Sequence, residues 1–250
     1  MTKKGKSAYE IEGAIIAEEE FQKSSMTQKL NWLRAGVLGA NDGIISTAGL
    51  IFGVAGAGAN SQAIFVSGVA ILVAGSFSMA GGEFTSVSAQ RDSEIAAIAK
   101  ERKQLKDNPE AELRELAWFY EQKGMSPKLA KAVAEELTEK DALKAHAEAE
   151  LGIDSEDHVS PTTAALSSFV AFAAGSLLPL LTATAIPIPA WRIPSTIIAV
   201  AVSLGLTGFL AAQIGGAKPV RAIVRNIAVS ALTMGITYGI GILVGHGVGA

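Results

Sequence analysis

Two carboxylates stand in long stretches of this 250-residue sequence that carry almost no other charge. Asp42 lies within Gly39-Ala40-Asn41-Asp42-Gly43, and Glu83 closes Ser78-Met79-Ala80-Gly81-Gly82-Glu83. Met79 precedes Glu83 by four residues, so on a helix the thioether and the carboxylate share a face. That pair suits a divalent transition metal of borderline softness better than Mg2+ or Ca2+, which take all-oxygen shells. The plainer reading of Asp42 is an acid tied to a neighbouring Asn or Ser for helix packing, and that of Met79 is an apolar filler. The spacing to Glu83 is what argues for a metal.

A second constellation lies between residues 91 and 160. Glu112 and Glu115 are spaced i, i+3, His146 and Glu150 are spaced i, i+4, and Glu101 falls on the preceding helix. Each pair projects from one helix face, and carboxylates on facing helices are how helical bundles build metal sites. The competing reading is a solvated acidic face, because the segment holds 17 acidic residues and chance pairs are expected. Glu135, Glu136 and Glu139 belong to that face, while His158 and His246 are single and receive no role. No H-E-x-x-H, nucleophile elbow or phosphate loop is present, so no enzyme is expected. The absence of Cys removes disulfides, thiolate metal sites and cysteine nucleophiles.

The elements that must position these groups follow from hydropathy. Mean hydropathy is +0.34 and the formal charge is -3, which leaves no basic footprint for nucleic acid. Five windows are long and apolar enough to cross a bilayer: residues 35–59, interrupted by Asp42, then 62–82, 166–186, 193–217 and 226–248. The fold class is therefore all-α, a polytopic membrane protein with a cytosolic three-helix domain inserted between the second and third spans. Inside a span each acid costs about 2.5–3.5 kcal/mol, an expense that usually marks function.

Basic residues accumulate on the cytoplasmic side. Residues 1–34 carry six Lys and Arg, residues 91–160 eleven and residues 218–225 three, against Arg192 alone on the remaining connections. The N-terminus is then cytosolic and the C-terminus outside. The expected organisation is a cytosolic segment 1–31 with a possible interfacial helix over 8–23, spans 1 and 2 in 32–90, an acidic helical domain in 91–160, and spans 3 to 5 in 161–250. Asn108-Pro109 and Ser126-Pro127 mark helix starts, and Gly124 and Gly152 mark ends. This predicts helices near 109–123 and 127–151. Neither Gly nor Pro lies between Glu83 and Asn108, so the second span is expected to run on for another 25 residues, ~37 Å at 1.5 Å each.

Residues 33–43 (Leu33-Arg34-Ala35-Gly36 through Asp42-Gly43) and 78–91 (Ser78-Met79 through Gln90-Arg91) resemble the first two signature segments of the vacuolar iron transporter family. The likeness extends to Pro109-Glu110-Ala111-Glu112-Leu113-Arg114-Glu115-Leu116, Lys123-Gly124-Met125-Ser126, Glu150-Leu151-Gly152-Ile153 and Thr237-Tyr238-Gly239-Ile240-Gly241. The resemblance implies a five-span homodimer that exports cytosolic Fe2+, in some members Mn2+ or other divalent metals, in exchange for protons. It implies a pathway at the dimer interface, with the membrane aspartate and methionine matching Asp42 and Met79. It also implies a metal-collecting set that falls on Glu101, Gln104, Glu112, Glu115, His146, Ala147 and Glu150. Three of these depart from the family pattern: Gln104 stands for a carboxylate, His146 for a methionine, and Ala147 offers no ligand. The site is expected to bind metals such as Fe2+, Mn2+, Co2+ or Zn2+ through an N/O shell, more weakly and with less preference for Fe2+.

The expected sequence of events has the acidic domain gather the ion, Glu83 receive it, and Met79 and Asp42 pass it on. Release is coupled to proton uptake, because a carboxylate in low dielectric favours its neutral form once the cation leaves. Expected partners are a second copy of the chain, membrane lipid, metal ions and protons. The absence of a further N-terminal extension favours the cell membrane; a eukaryotic source would place the protein in the vacuolar membrane. The alternative is a membrane-anchored metal sensor or store that does not transport. The Gly39/Gly43, Gly49/Gly53 and Gly235/Gly239 pairs are G-x-x-x-G patterns that let helix backbones approach closely; the first is expected to serve the dimer, the alternative for any of them being packing within one chain.

Overall fold

In a computed structural model the chain is described over residues 34–153, 160–186 and 188–248. The N-terminal segment, including the interfacial helix expected over 8–23, lies outside the described residues. The described part is all-helical: α1 (Arg34–Gly56), α2 (Ser61–Asp107), α3 (Pro109–Gln122), α4 (Pro127–His146) with a π-helical turn (Ala147–Leu151), α5 (Pro161–Ala185), α6 (Pro189–Ile214) and α7 (Pro219–Val248). Five of these seven helices begin at proline, where the missing N–H would be unpaired anyway and φ is already helical. Helices α1, α2, α5, α6 and α7 are long and apolar enough to cross a membrane, one for each hydropathy window. Phe65, Val69, Phe77, Val202, Leu206 and Leu243 are exposed on them, a surface suited to lipid rather than water.

The helices group into two compact units, one of residues up to Phe84 and from Pro161 onward, the other of Thr85–Ser160. In the first, α1 is the most enclosed span. Its Ile44, Ala48, Ile51 and Phe52 form a core with Ala183 of α5, Val200 and Leu204 of α6, and Met234 of α7. Glycines let backbones touch on two sides of α1. A Cβ on Gly43 would lie 2.2 Å from the Phe172 carbonyl oxygen, and one on Gly175 would lie 2.3 Å from that of Ala40. Toward α7, a Cβ on Gly241 would lie 2.0 Å from the Gly53 carbonyl oxygen.

Within the chain, Gly39 and Gly43 face α5 and Gly49 and Gly53 face α7, so both pairs serve packing of these helices; nothing of the same chain lies within 4 Å of a Cβ placed on Gly235 or Gly239. The α1–α2 connection is short, and Asn60 caps α2 by accepting from the Ala63 amide at 2.9 Å. Arg192 ties this end together, donating from Nε to the Ile186 carbonyl at 2.8 Å and from Nη1 to the Ser61 hydroxyl.

Helix α2 runs without a break from Ser61 to Asp107, as the lack of Gly and Pro after Glu83 predicts, and its residues from Thr85 on belong to the second unit. There α3 packs on α4 around Leu116, Ala117, Ala134 and Ala145. Asn108 caps α3, its side-chain oxygen accepting from the Ala111 amide at 3.3 Å. Gly124 and Gly152 close helices with φ of +95° and +63°, a conformation L side chains rarely adopt. Ser126 takes the N-cap position of α4 without a side-chain cap bond.

The single helix expected over 127–151 is divided. Asp141 takes φ -164° and ψ 94°, and its Oδ1 accepts from the Lys144 amide at 3.0 Å. A short acid that can bond its own downstream backbone competes with the helical ladder and starts a new turn. The residues after it carry His146 into the π-helical turn, which ends with the Ile153 amide donating to the Ala147 carbonyl at 2.9 Å.

Candidate functional site

The isolated membrane acids meet at one place. A cavity of about 300 Å3 in the first unit is lined by Asp42 and Ser46 of α1, by Ile71, Gly75, Ser78, Met79, Gly82 and Glu83 of α2, and by Phe172 of α5. All three membrane residues singled out in the sequence therefore border the same space. Asp42 is positioned by α1, whose glycines hold it tightly to α5, and its Oδ1 accepts a hydrogen bond from the Ser46 hydroxyl at 2.7 Å. Met79 and Glu83 arrive one turn apart on α2. Phe172 is 2 % exposed and forms an apolar wall. Its ring packs where a Cβ on Gly75 would be 2.2 Å away, so only glycine at 75 admits it.

Two carboxylates, a thioether and two hydroxyls around a space of this size can exchange part of the hydration shell of a divalent cation. The Ser46 bond also meets the plainer sequence reading of Asp42 as an acid tied to a neighbouring serine, whereas Ser78 and Phe172 receive no role in the sequence. Ser46 was within reach, since it stands i+4 from Asp42; Phe172 is distant in sequence and carries no polar signal.

The second unit holds the other constellation. The His146 Nδ1 lies 3.0 Å from Oε1 of Glu101, 3.8 Å from Oε2 of Glu150 and 4.0 Å from Oε2 of Glu112. His146 is fully buried, and Glu101 and Glu112 are 2 % and 5 % exposed, which sets them apart from a solvated acidic face. One ligand atom from each of Glu101, Glu112 and His146 falls within 4.8 Å of the others. Ligands held 2.0–2.2 Å from one ion lie roughly 3–4 Å apart, so this spacing fits a bound cation.

Hydrogen bonding points the same way. Glu112 Oε2, Glu150 Oε2 and His146 Nε2 are buried without a hydrogen-bond partner, and His146 Nδ1 and Glu101 Oε1, though 3.0 Å apart, form no aligned hydrogen bond; a buried unsatisfied polar group is expensive. Burial first, then the charges of Glu150, Glu112 and Glu115, pushes the Glu101 carboxyl up to about 7, with Lys100 opposing. Glu115 thus acts on Glu101 through its charge. Gln104 stands on α2 just beyond Glu101, half-buried. Ala147 is fully buried and offers no ligand atom.

The sequence profile that describes the VIT family matches residues 33–242. The chain belongs to the VIT family. The span of the match takes in both the cavity and the buried cluster. Among curated relatives, this VIT-family chain is 41 % identical over 235 residues to a protein of Acanthamoeba castellanii named vacuolar iron transporter, covering 94 % of the chain and 87 % of the relative. It is 37 % identical over 223 residues to vacuolar iron transporter homolog 1 of Oryza sativa subsp. japonica, covering 88 % and 77 %. To vacuolar iron transporter homolog 2 of Arabidopsis thaliana it is 33 % identical over 228 residues, covering 91 % and 92 %. Family membership and five membrane-length apolar helices together make this an integral membrane protein.

Proposed function

We propose that this VIT-family chain moves a divalent transition-metal ion, Fe2+ first and Mn2+ among the alternatives, out of the cytosol across its membrane in exchange for protons, as a homodimer. The observation that carries the reading is that Asp42, Met79 and Glu83, scattered over two helices, border one cavity of about 300 Å3. The relatives' names, which state iron transport for those proteins, support the choice of ion. In this reading the buried Glu101, Glu112 and His146 and the partly exposed Glu150, with Glu115 on α3 and Gln104 on α2, collect the ion on the cytosolic side. Glu83 receives it, and Met79 and Asp42 pass it on.

In this reading the carboxylates that give up the ion take a proton in its place. That links metal release to proton uptake without any further group. The membrane in this reading is the cell membrane, with the N-terminus cytosolic and the C-terminus outside, or the vacuolar membrane in a eukaryote.

The test is flux in proteoliposomes under an imposed pH gradient, with Fe2+, Mn2+, Co2+ and Zn2+ offered separately. Uptake of Fe2+ that rises with the gradient and moves protons in the opposite direction supports the reading. Metal binding without flux would instead favour a membrane-anchored store or sensor, a role for which the buried cluster alone would suffice.

A further inference from the structure

We propose that Ser46 is a positioning residue for Asp42, holding one carboxylate oxygen so that the other is presented to the cation in the cavity. The inference rests on the reading of Asp42 as part of a metal pathway and extends it to a residue outside the three membrane positions already assigned.

Several hydroxyls on membrane-length helices turn back on their own backbone, while Ser176 donates to the Gly43 carbonyl and Thr207 to Asn41 Oδ1 on α1. Ser76 donates to the Leu72 carbonyl at 2.6 Å, Thr184 to that of Leu180 at 2.6 Å, Ser203 to that of Ala199 at 2.8 Å and Thr233 to that of Val229 at 3.0 Å. That is the ordinary habit of Ser and Thr within helices, since the i-4 carbonyl is the nearest acceptor. Ser46 departs from it. Its hydroxyl donates to the Asp42 side chain, to Oδ1 at 2.7 Å, although the Asp42 carbonyl stands at the same i-4 spacing.

Both residues line the cavity with Met79 and Glu83. A hydroxyl donating to a carboxylate forms a charge-assisted bond that fixes the acid's rotamer. With one lone pair of Oδ1 so engaged, Oδ2 is the less encumbered oxygen, and the carboxylate is pre-oriented before the ion arrives. Removing the hydroxyl should therefore weaken capture while leaving the later passage of the ion intact.

The experiment measures the concentration dependence of Fe2+ uptake in proteoliposomes carrying wild type, Ser46→Ala, Ser46→Thr and Ser46→Val, with Asp42→Ala as reference. Thr and Val have the same shape and differ only in the hydroxyl, so the pair separates hydrogen bonding from packing even if Ser46→Ala folds poorly. The expected result is that Ser46→Ala and Ser46→Val raise KM about tenfold with Vmax within a factor of two, while Ser46→Thr stays near wild type. Equal KM in the Thr and Val variants, or a loss confined to Vmax, would overturn the proposal. Wild-type uptake by Asp42→Ala would overturn the underlying pathway reading itself, an outcome distinct from a silent Ser46 substitution.

Discussion

The meeting of buried His146, Glu101 and Glu112 with partly exposed Glu150 concentrates negative charge where water screens it poorly. Glu101 titrates there near 7 instead of its ordinary 4.5, chiefly because it is buried and secondly because Glu150, Glu112 and Glu115 repel its charge. A carboxyl whose folded value is raised stabilises the metal-free fold fully below about 4.5 and loses that contribution as pH rises through about 7. A cation reverses the preference, because it needs the deprotonated form. Binding of Mn2+ to the purified chain should therefore weaken as pH falls from 8 to 6 and release protons, and His146→Ala should weaken it at least about tenfold. Calorimetry at the two pH values checks both; unchanged binding in His146→Ala would make the imidazole a bystander. The pairs Glu112/Glu115 and His146/Glu150 were legible from helical spacing. That Glu112 and His146 are buried, with Glu101 facing His146, was not, because one-dimensional spacing does not say which face of an acidic helix turns inward.

At the level of the helices, glycine placement was visible in the sequence but its partner was not. A G-x-x-x-G pair states that some backbone approaches closely, not which one. The Gly43 and Gly175 contacts give it: α1 lies against α5 with no room for a methyl group. Gly43→Ala should therefore lower the thermal midpoint of the detergent-solubilised protein by an amount equivalent to about 1–3 kcal/mol, whereas Gly235→Ala, whose Cβ meets nothing in the same chain, should leave it unchanged or raise it slightly, as alanine favours the helix. Equal effects at the two positions would show that the α1–α5 contact is not the tight one. The long α2 was readable, because 25 residues without Gly or Pro leave nothing to stop a helix. The division of α4 was not, since mid-helix aspartates usually face solvent, and only the Asp141 bond to the Lys144 amide shows that this one restarts the helix.

For the whole molecule, hydropathy alone located the five membrane-length apolar helices among the described residues, because a bilayer demands length and apolarity that no loop supplies. Orientation rests on the Lys and Arg distribution. The chain contains no Cys, so single cysteines report cleanly. A cysteine at Lys128 should be shielded from an impermeant thiol reagent in intact cells, and one at Ala190 should be labelled; the reverse pattern would invert the proposed topology. The central claim is that metal crosses the membrane by way of the acids that border the α1–α2 cavity. The measurement that bears on it most directly is Fe2+ flux in proteoliposomes holding folded Asp42→Ala or Glu83→Ala, each compared with wild type under the same pH gradient. Both variants should lose transport while keeping wild-type assembly and thermal stability. Near wild-type flux with a normal pH dependence in either one would contradict the role given to that carboxylate.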